Sequence, residues 1–146
     1  MKIYFDTEFS NLWDPQPISI GFAAEDGSTL YVEIERDEKR DGRFVREAIV
    51  PLLEGNPVDV HKARGNIRRY LQRMQATPPE TELICDFIGD FWILRELLPD
   101  IVDYVTPRCA RHADYTEALR QMGKPPHHAL WDAMALRDSQ PDLQVE

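Results

Sequence analysis

The sequence predicts an α/β domain built on a mixed sheet, with a three-strand antiparallel meander extended by parallel strands and flanked by helices. Three observations carry this prediction. Residues 1–9 (MKIYFDTEF), 18–24 (ISIGFAA) and 29–34 (TLYVEI) are apolar or alternating runs, the last two joined through Asp26-Gly27. Residues 82–86 (ELICD) form a short apolar run that hands over directly to a helical pattern, the succession of a crossover unit. Helical spacing recurs at 44–53, 61–74, 89–98, 113–122 and 127–137. At 146 residues with 42% hydrophobic composition, the chain has the length and the apolar content for one domain spanning 1–146.

Taken in order, the first strand ends in Asp6 and Glu8, and residues 11–17 (NLWDPQP) carry two prolines and read as a loop. The meander follows, and residues 36–43 are a charge run expected to be a solvated loop. In 44–53, Val45, Ile49, Leu52 and Leu53 share one side, and Gly55, Asn56 and Pro57 stop the helix. The helix at 61–74 concentrates Lys62, Arg64, Arg68, Arg69 and Arg73; a solvated face paired with neighbouring acids is the expectation, and a phosphate-binding face the alternative. After the loop 77–80 and the strand 82–86, a helix opens at Gly89-Asp90 and shows Phe91, Leu94, Leu97 and Leu98 on one face until Pro99. Residues 100–111 have no clear period. The helix at 113–122 is capped by Gly123, Pro125-Pro126 break the chain, and 127–137 forms the last helix, with a polar tail expected to fray beyond Ser139.

A formal net charge of −9 argues against non-specific binding driven by a nucleic-acid backbone, although a local basic patch could still hold a short strand. Cys85 and Cys109 lack CxxC spacing and read as reduced thiols, which fits a cytoplasmic protein. The N-terminus has no apolar segment of signal-peptide type, and no run approaches the length of a membrane span, so no membrane partner is expected.

Chemistry concentrates in a few acids. Strand residues two apart share a face, so Asp6 and Glu8 lie side by side at the end of an apolar strand. Two carboxylates there need a cation, most simply a divalent metal. On the last helix Ala129, Asp132, Ala133 and Leu136 share one face, which makes Asp132 a third inward acid. His127 is five residues from Asp132 and can serve the same site only if it precedes the helix proper, as Pro125-Pro126 suggest. A fourth acid comes from Asp90, where a strand gives way to a helix, or from Asp86 at the strand's end. His61 and His112 have no useful partner spacing and read as structural; Trp92 and Trp131 read as core. Oxygen-only ligation suits Mg²⁺ or Mn²⁺ before Zn²⁺.

FDTE in the first strand, an Asp at the start of a mid-chain helix and HHALWDA in the last helix together resemble the DEDDh 3′–5′ exonucleases, whose motifs come in this order and here span Asp6 to Asp132. The opening MKIYFDTEFS is most similar to small bacterial exoribonucleases of the ribonuclease AS type, which degrade adenylate-rich RNA. The resemblance implies a ribonuclease H-like fold, two Mg²⁺ or Mn²⁺ ions held by Asp6, Glu8, Asp90 and Asp132, His127 as general base, and a homodimer acting on single-stranded RNA. The second motif often has Asn four residues before its Asp; Asp86 stands there, which leaves it open as an alternative or supporting ligand. Thr7, Phe9 and Trp13 are the substrate-contact candidates; for the two aromatics a core or loop-anchor role is the expectation and a platform for a terminal base the alternative. A proofreading-type exonuclease acting on single-stranded DNA, and an inactive nuclease-like interaction module, are the alternatives.

Overall fold

The structure, a computed structural model, describes residues 1–111 and 113–141. The expectations for His112 and for most of the fraying tail fall outside these residues. Five strands, β1 (Lys2–Phe9), β2 (Pro17–Ala24), β3 (Thr29–Glu33), β4 (Glu82–Cys85) and β5 (Thr106–Cys109), form one sheet in the order β3-β2-β1-β4-β5. The β1–β2 and β2–β3 pairs are antiparallel, whereas β4 lies parallel to β1 and β5 parallel to β4. With helices α1 (Val60–Arg73), α2 (Ile88–Leu97), α3 (Thr116–Met122) and α4 (Ala129–Ser139), this is an α/β mixed sheet consistent with a ribonuclease H-like fold. The fifth strand lies in the stretch where the sequence has no clear period, because Pro107 and Arg108 interrupt the apolar alternation and neither is buried.

Alternation along β1 sorts the sheet into two faces. Ile3 and Phe5 pack with Ile20, Phe22 and Ala24 against Ile67 and Leu71 of α1 and Phe91 and Leu94 of α2. Tyr4 lies in a second cluster with Ile84, Ala110 and Leu136 of α4. Asp6 and Glu8 continue the Tyr4 series towards α4. No helix among the described residues is long and apolar enough to cross a membrane.

Three segments depart from the sequence reading. Residues 44–53 do not make an α-helix: Val45–Ile49 is a π-turn and Val50–Leu52 a 3₁₀ turn. Pro51 explains the change, since it has no N–H for the Glu47 carbonyl and crowds the preceding turn. The expected inward face survives, with Val45, Ile49 and Leu53 packed around Ile18. The charge run 36–43 is also more than a solvated loop. Arg36 grips the buried Asp41 through two hydrogen bonds, Nε–Oδ1 at 3.1 Å and Nη2–Oδ2 at 2.8 Å, and Arg46 Nη1 donates to the Asp41 carbonyl at 2.6 Å. Finally, α3 starts at Thr116, where the Asp114 side chain accepts from the Thr116 N–H at 3.0 Å.

The basic helix α1 commits two of its cations to neighbouring elements. Arg68 forms a forked pair with Asp100, and Arg64 Nε donates to the Leu97 carbonyl at 2.6 Å, closing the end of α2. Both cysteines are buried and free.

Candidate functional site

Asp6, Glu8, Asp90 and Asp132 converge from three elements. β1 carries the first two on one face and ends in a register shift at Glu8/Phe9, so the strand bends as it leaves them. Asp90 lies in the first turn of α2, where a negative charge suits the helix dipole. Asp132 lies in the first turn of α4 and is brought to β1 by an unusually close approach. Gly21, directly opposite Asp6 in the β1–β2 ladder, touches the start of α4: a Cβ there would fall 2.4 Å from the Leu130 Cα and N and 2.5 Å from the Ala129 carbonyl carbon. Only glycine admits the helix backbone at that distance.

The acids fall into two sets. Glu8, His127 and Asp132 have ligand atoms within 4.8 Å of one another, and so do Asp6, Asp86 and Asp90. Asp86 and Asp90 therefore both reach Asp6, and the choice between them dissolves. The expected Asp90 is buried at 2% exposure, while Asp86 is half-buried. The Thr7 hydroxyl donates to Asp90 Oδ1 at 2.6 Å.

Burial is the main influence on every one of these acids, and for Asp6, Glu8, Asp90 and Asp132 the charge of neighbouring acids adds to it. Asp6 is held well above the usual carboxylate range by burial and then by Asp90, Glu8 and Asp132. Glu8 is pushed up to about 8 by burial and then by Asp132 and Asp90, while Asp90 and Asp132 rise to about 7, mainly through burial. Asp6 Oδ2 and Asp132 Oδ1 are buried without a hydrogen-bond partner. Buried, mutually repelling, partly orphaned oxygens of this kind fit divalent cations with hard oxygen ligands. The chain thus carries acidic groups that could hold metal ions.

The two adjacent histidines have separate environments. His127 precedes α4 with φ of 77°, its N–H donating to Asp132 Oδ2 at 3.0 Å, and its ring stands beside Glu8 and Asp132. Burial lowers its pKa. His128 turns the other way. It caps α4, accepting from the Trp131 N–H at Nδ1, and its buried ring is sandwiched between Tyr31 at 4.4 Å and Trp131 at 3.9 Å between centroids.

The expected substrate contacts separate in space. Thr7 is buried and spends its hydroxyl on Asp90, so it supports an acid instead of facing solvent. Phe9 lines an apolar cleft of about 440 Å³ that starts at Glu8 and is walled by Leu12, Phe44, Val45 and Ile49. Trp13 is 96% exposed and does not line this cleft; Asn11 Oδ1 accepts from the Trp13 and Asp14 N–H groups and turns the loop outward. Trp92, expected in the core, lies on the outer side of α2 at 57% exposure, and Trp131 is half-buried on the His128 ring.

Three residues of this region escaped the sequence reading. Phe44 was submerged in an expected helix. Tyr115 stands beside the Asp86 carboxyl, and burial with the charges of Asp6, Asp86 and Asp132 pushes its pKa up. Gly21 did leave a signal, a lone glycine inside an apolar strand, which marks a bulge or a close backbone approach. The sequence matches no known family model, and no curated protein is significantly similar to it.

Proposed function

We propose that the chain is a metal-dependent 3′–5′ exoribonuclease that releases nucleoside 5′-monophosphates from the 3′ ends of single-stranded RNA. One observation carries the reading: two acid sets, Asp6/Asp86/Asp90 and Glu8/Asp132, gather around Asp6 and Glu8, two residues apart on one strand, with a histidine beside the second set. This is the donor arrangement that an in-line phosphodiester displacement uses. Two bound Mg²⁺ or Mn²⁺ ions would supply positive charge for the scissile phosphate and lower the pKa of a water.

The residues account for the rest of the chemistry. His127, neutral near pH 7 because burial lowers its pKa, accepts the proton of the attacking water. The water oxygen bonds to phosphorus, the bond from phosphorus to the 3′-oxygen of the preceding nucleotide breaks, and that oxygen takes a proton from solvent, so the shortened strand ends in a new 3′-hydroxyl. Thr7 fixes Asp90, and the His127 N–H fixes Asp132, so both acids are oriented before any cation arrives. The apolar cleft beside Glu8 suits one flat base at the strand end.

Incubation with 5′-labelled RNA and DNA oligonucleotides in Mg²⁺, Mn²⁺ or EDTA tests this. Stepwise shortening of RNA from the 3′ end, abolished by EDTA, is expected. Equal or faster shortening of DNA would move the reading to a DNA exonuclease, and shortening of neither polymer would refute an enzyme.

A further inference from the structure

The general base proposed above calls for a partner that orients its ring. Among the described residues no hydrogen bond fixes the His127 imidazole; only its backbone N–H is engaged, by Asp132. Its aromatic neighbour is Phe44, whose ring meets it edge to face at 5.0 Å between centroids and 87° between planes. Phe44 also forms one wall of the apolar cleft and leaves 57% of its surface open to it and to solvent.

The backbone beneath Phe44 is held on both sides. The Gly42 N–H donates to the Ser10 carbonyl at 3.0 Å, and the Arg46 N–H to the Gly42 carbonyl at 3.1 Å. Arg46 further donates to the carbonyl of Asp41, itself clamped by Arg36, while Val45 and Ile49 are buried against Ile18. The π-turn at Val45–Ile49 thus anchors the segment beneath the Phe44 ring, which touches His127 on one side and borders the cleft on the other. A planar group entering the cleft would restrict that ring, and the ring restricts His127.

We propose that Phe44 is a positioning residue that couples occupation of the cleft by a nucleobase to alignment of His127. The inference rests on the nuclease reading of the site, and it makes an unoccupied cleft a state in which the base is poorly aimed. An edge-to-face pair is worth about 1 kcal/mol, so the loss in turnover is about three- to tenfold.

The test is a double-mutant cycle between Phe44→Ala and His127→Ala, read as kcat and KM on an RNA oligonucleotide and on the same oligonucleotide ending in an abasic 3′ residue. Phe44→Ala is expected to lower kcat about three- to tenfold on intact RNA, and to leave kcat unchanged in the His127→Ala background or on the abasic end. Phe44→Tyr should restore kcat. A rise in KM alone, or an equal fall in kcat with and without His127, would overturn the proposal and reduce Phe44 to a wall. A second readout does not need turnover. With Mg²⁺ present, adenosine 5′-monophosphate should shift the His127 imidazole resonances of the wild type but not of Phe44→Ala, and ribose 5-phosphate should shift neither. Equal shifts with both ligands refute the coupling even if RNA is degraded, whereas a base-specific shift without degradation upholds the coupling and refutes the exonuclease.

Discussion

Gly21→Ala tests how the two halves of the site are held together. The new Cβ would lie 2.4 Å from the Leu130 backbone, and ordinary contact begins at 3.4 Å, so α4 must retreat from the sheet by about 1 Å. No side chain can yield instead, because all three of the nearest atoms belong to the α4 backbone. Overpacking of this kind costs about 1–3 kcal/mol, which for a chain this size lowers Tm by about 3–9 °C. The functional consequence is larger. Asp132 lies on the first turn of α4 and His127 just before it, while Asp6 and Glu8 stay on β1, and a 1 Å misplacement of reacting groups costs on the order of 100-fold in rate. The assay is a Mn²⁺ titration followed by Tm, with turnover of labelled RNA measured alongside at a temperature where both proteins are folded. Gly65→Ala provides the control: it lies within α1, its Cβ would meet the movable end of Arg69 at 3.3 Å, and alanine should stabilise the helix by about 0.5–1 kcal/mol. The double variant recovers part of the stability but none of the activity. A Gly21→Ala protein with wild-type Mn²⁺ midpoint and turnover would show that the close approach does not set the site.

The raised carboxyl pKa values predict how the metal-free protein responds to pH. Glu8 at about 8 and Asp90 and Asp132 at about 7 bind protons in the folded chain that the unfolded chain has already released, so stability in EDTA should fall as pH rises from about 4 to 8. His127 and His128, both lowered by burial, act oppositely below about pH 6.5. A scan from pH 6.5 to 8.5 therefore isolates the acids: Tm should drop in EDTA, and the gain from Mn²⁺ should grow with pH. A flat profile in EDTA would contradict the burial of these acids. His127→Ala should cost about 100- to 10,000-fold in kcat while Mn²⁺ still raises Tm, because the carboxylates remain. His128→Ala should instead destabilise the fold by emptying the Tyr31–Trp131 sandwich and uncapping α4, and calorimetry on the two variants would refute the assignment if the pattern were reversed. Thr7→Val keeps the buried shape but removes the donor at 2.6 Å from Asp90; a higher Mn²⁺ midpoint is expected, and an unchanged one would show that the hydroxyl does not orient that acid.

The legible parts of this molecule are those with a local cause. The period of two in β1 places Asp6 and Glu8 together, the glycine hairpin sets the meander, and Pro125-Pro126 hold His127 out of α4, which begins only at Ala129. What escaped depends on partners distant in sequence. The fifth strand has no pattern of its own and exists because β4 offers its edge. Asp41 looks like one charge among many until Arg36 and Arg46 close around it. Asp86 and Asp90 compete for one role when read along the chain, yet a strand end followed by the first turn of a helix points both at Asp6. Phe44 is hidden for a related reason: it stands at the head of the π-turn, and its ring meets His127, a residue 83 positions further along the chain. The same logic explains Gly21, whose meaning in sequence was only that something approaches it. In the fold that something is the start of α4, so a residue with no side chain and no charge holds the acid of the last helix against the acids of the first strand.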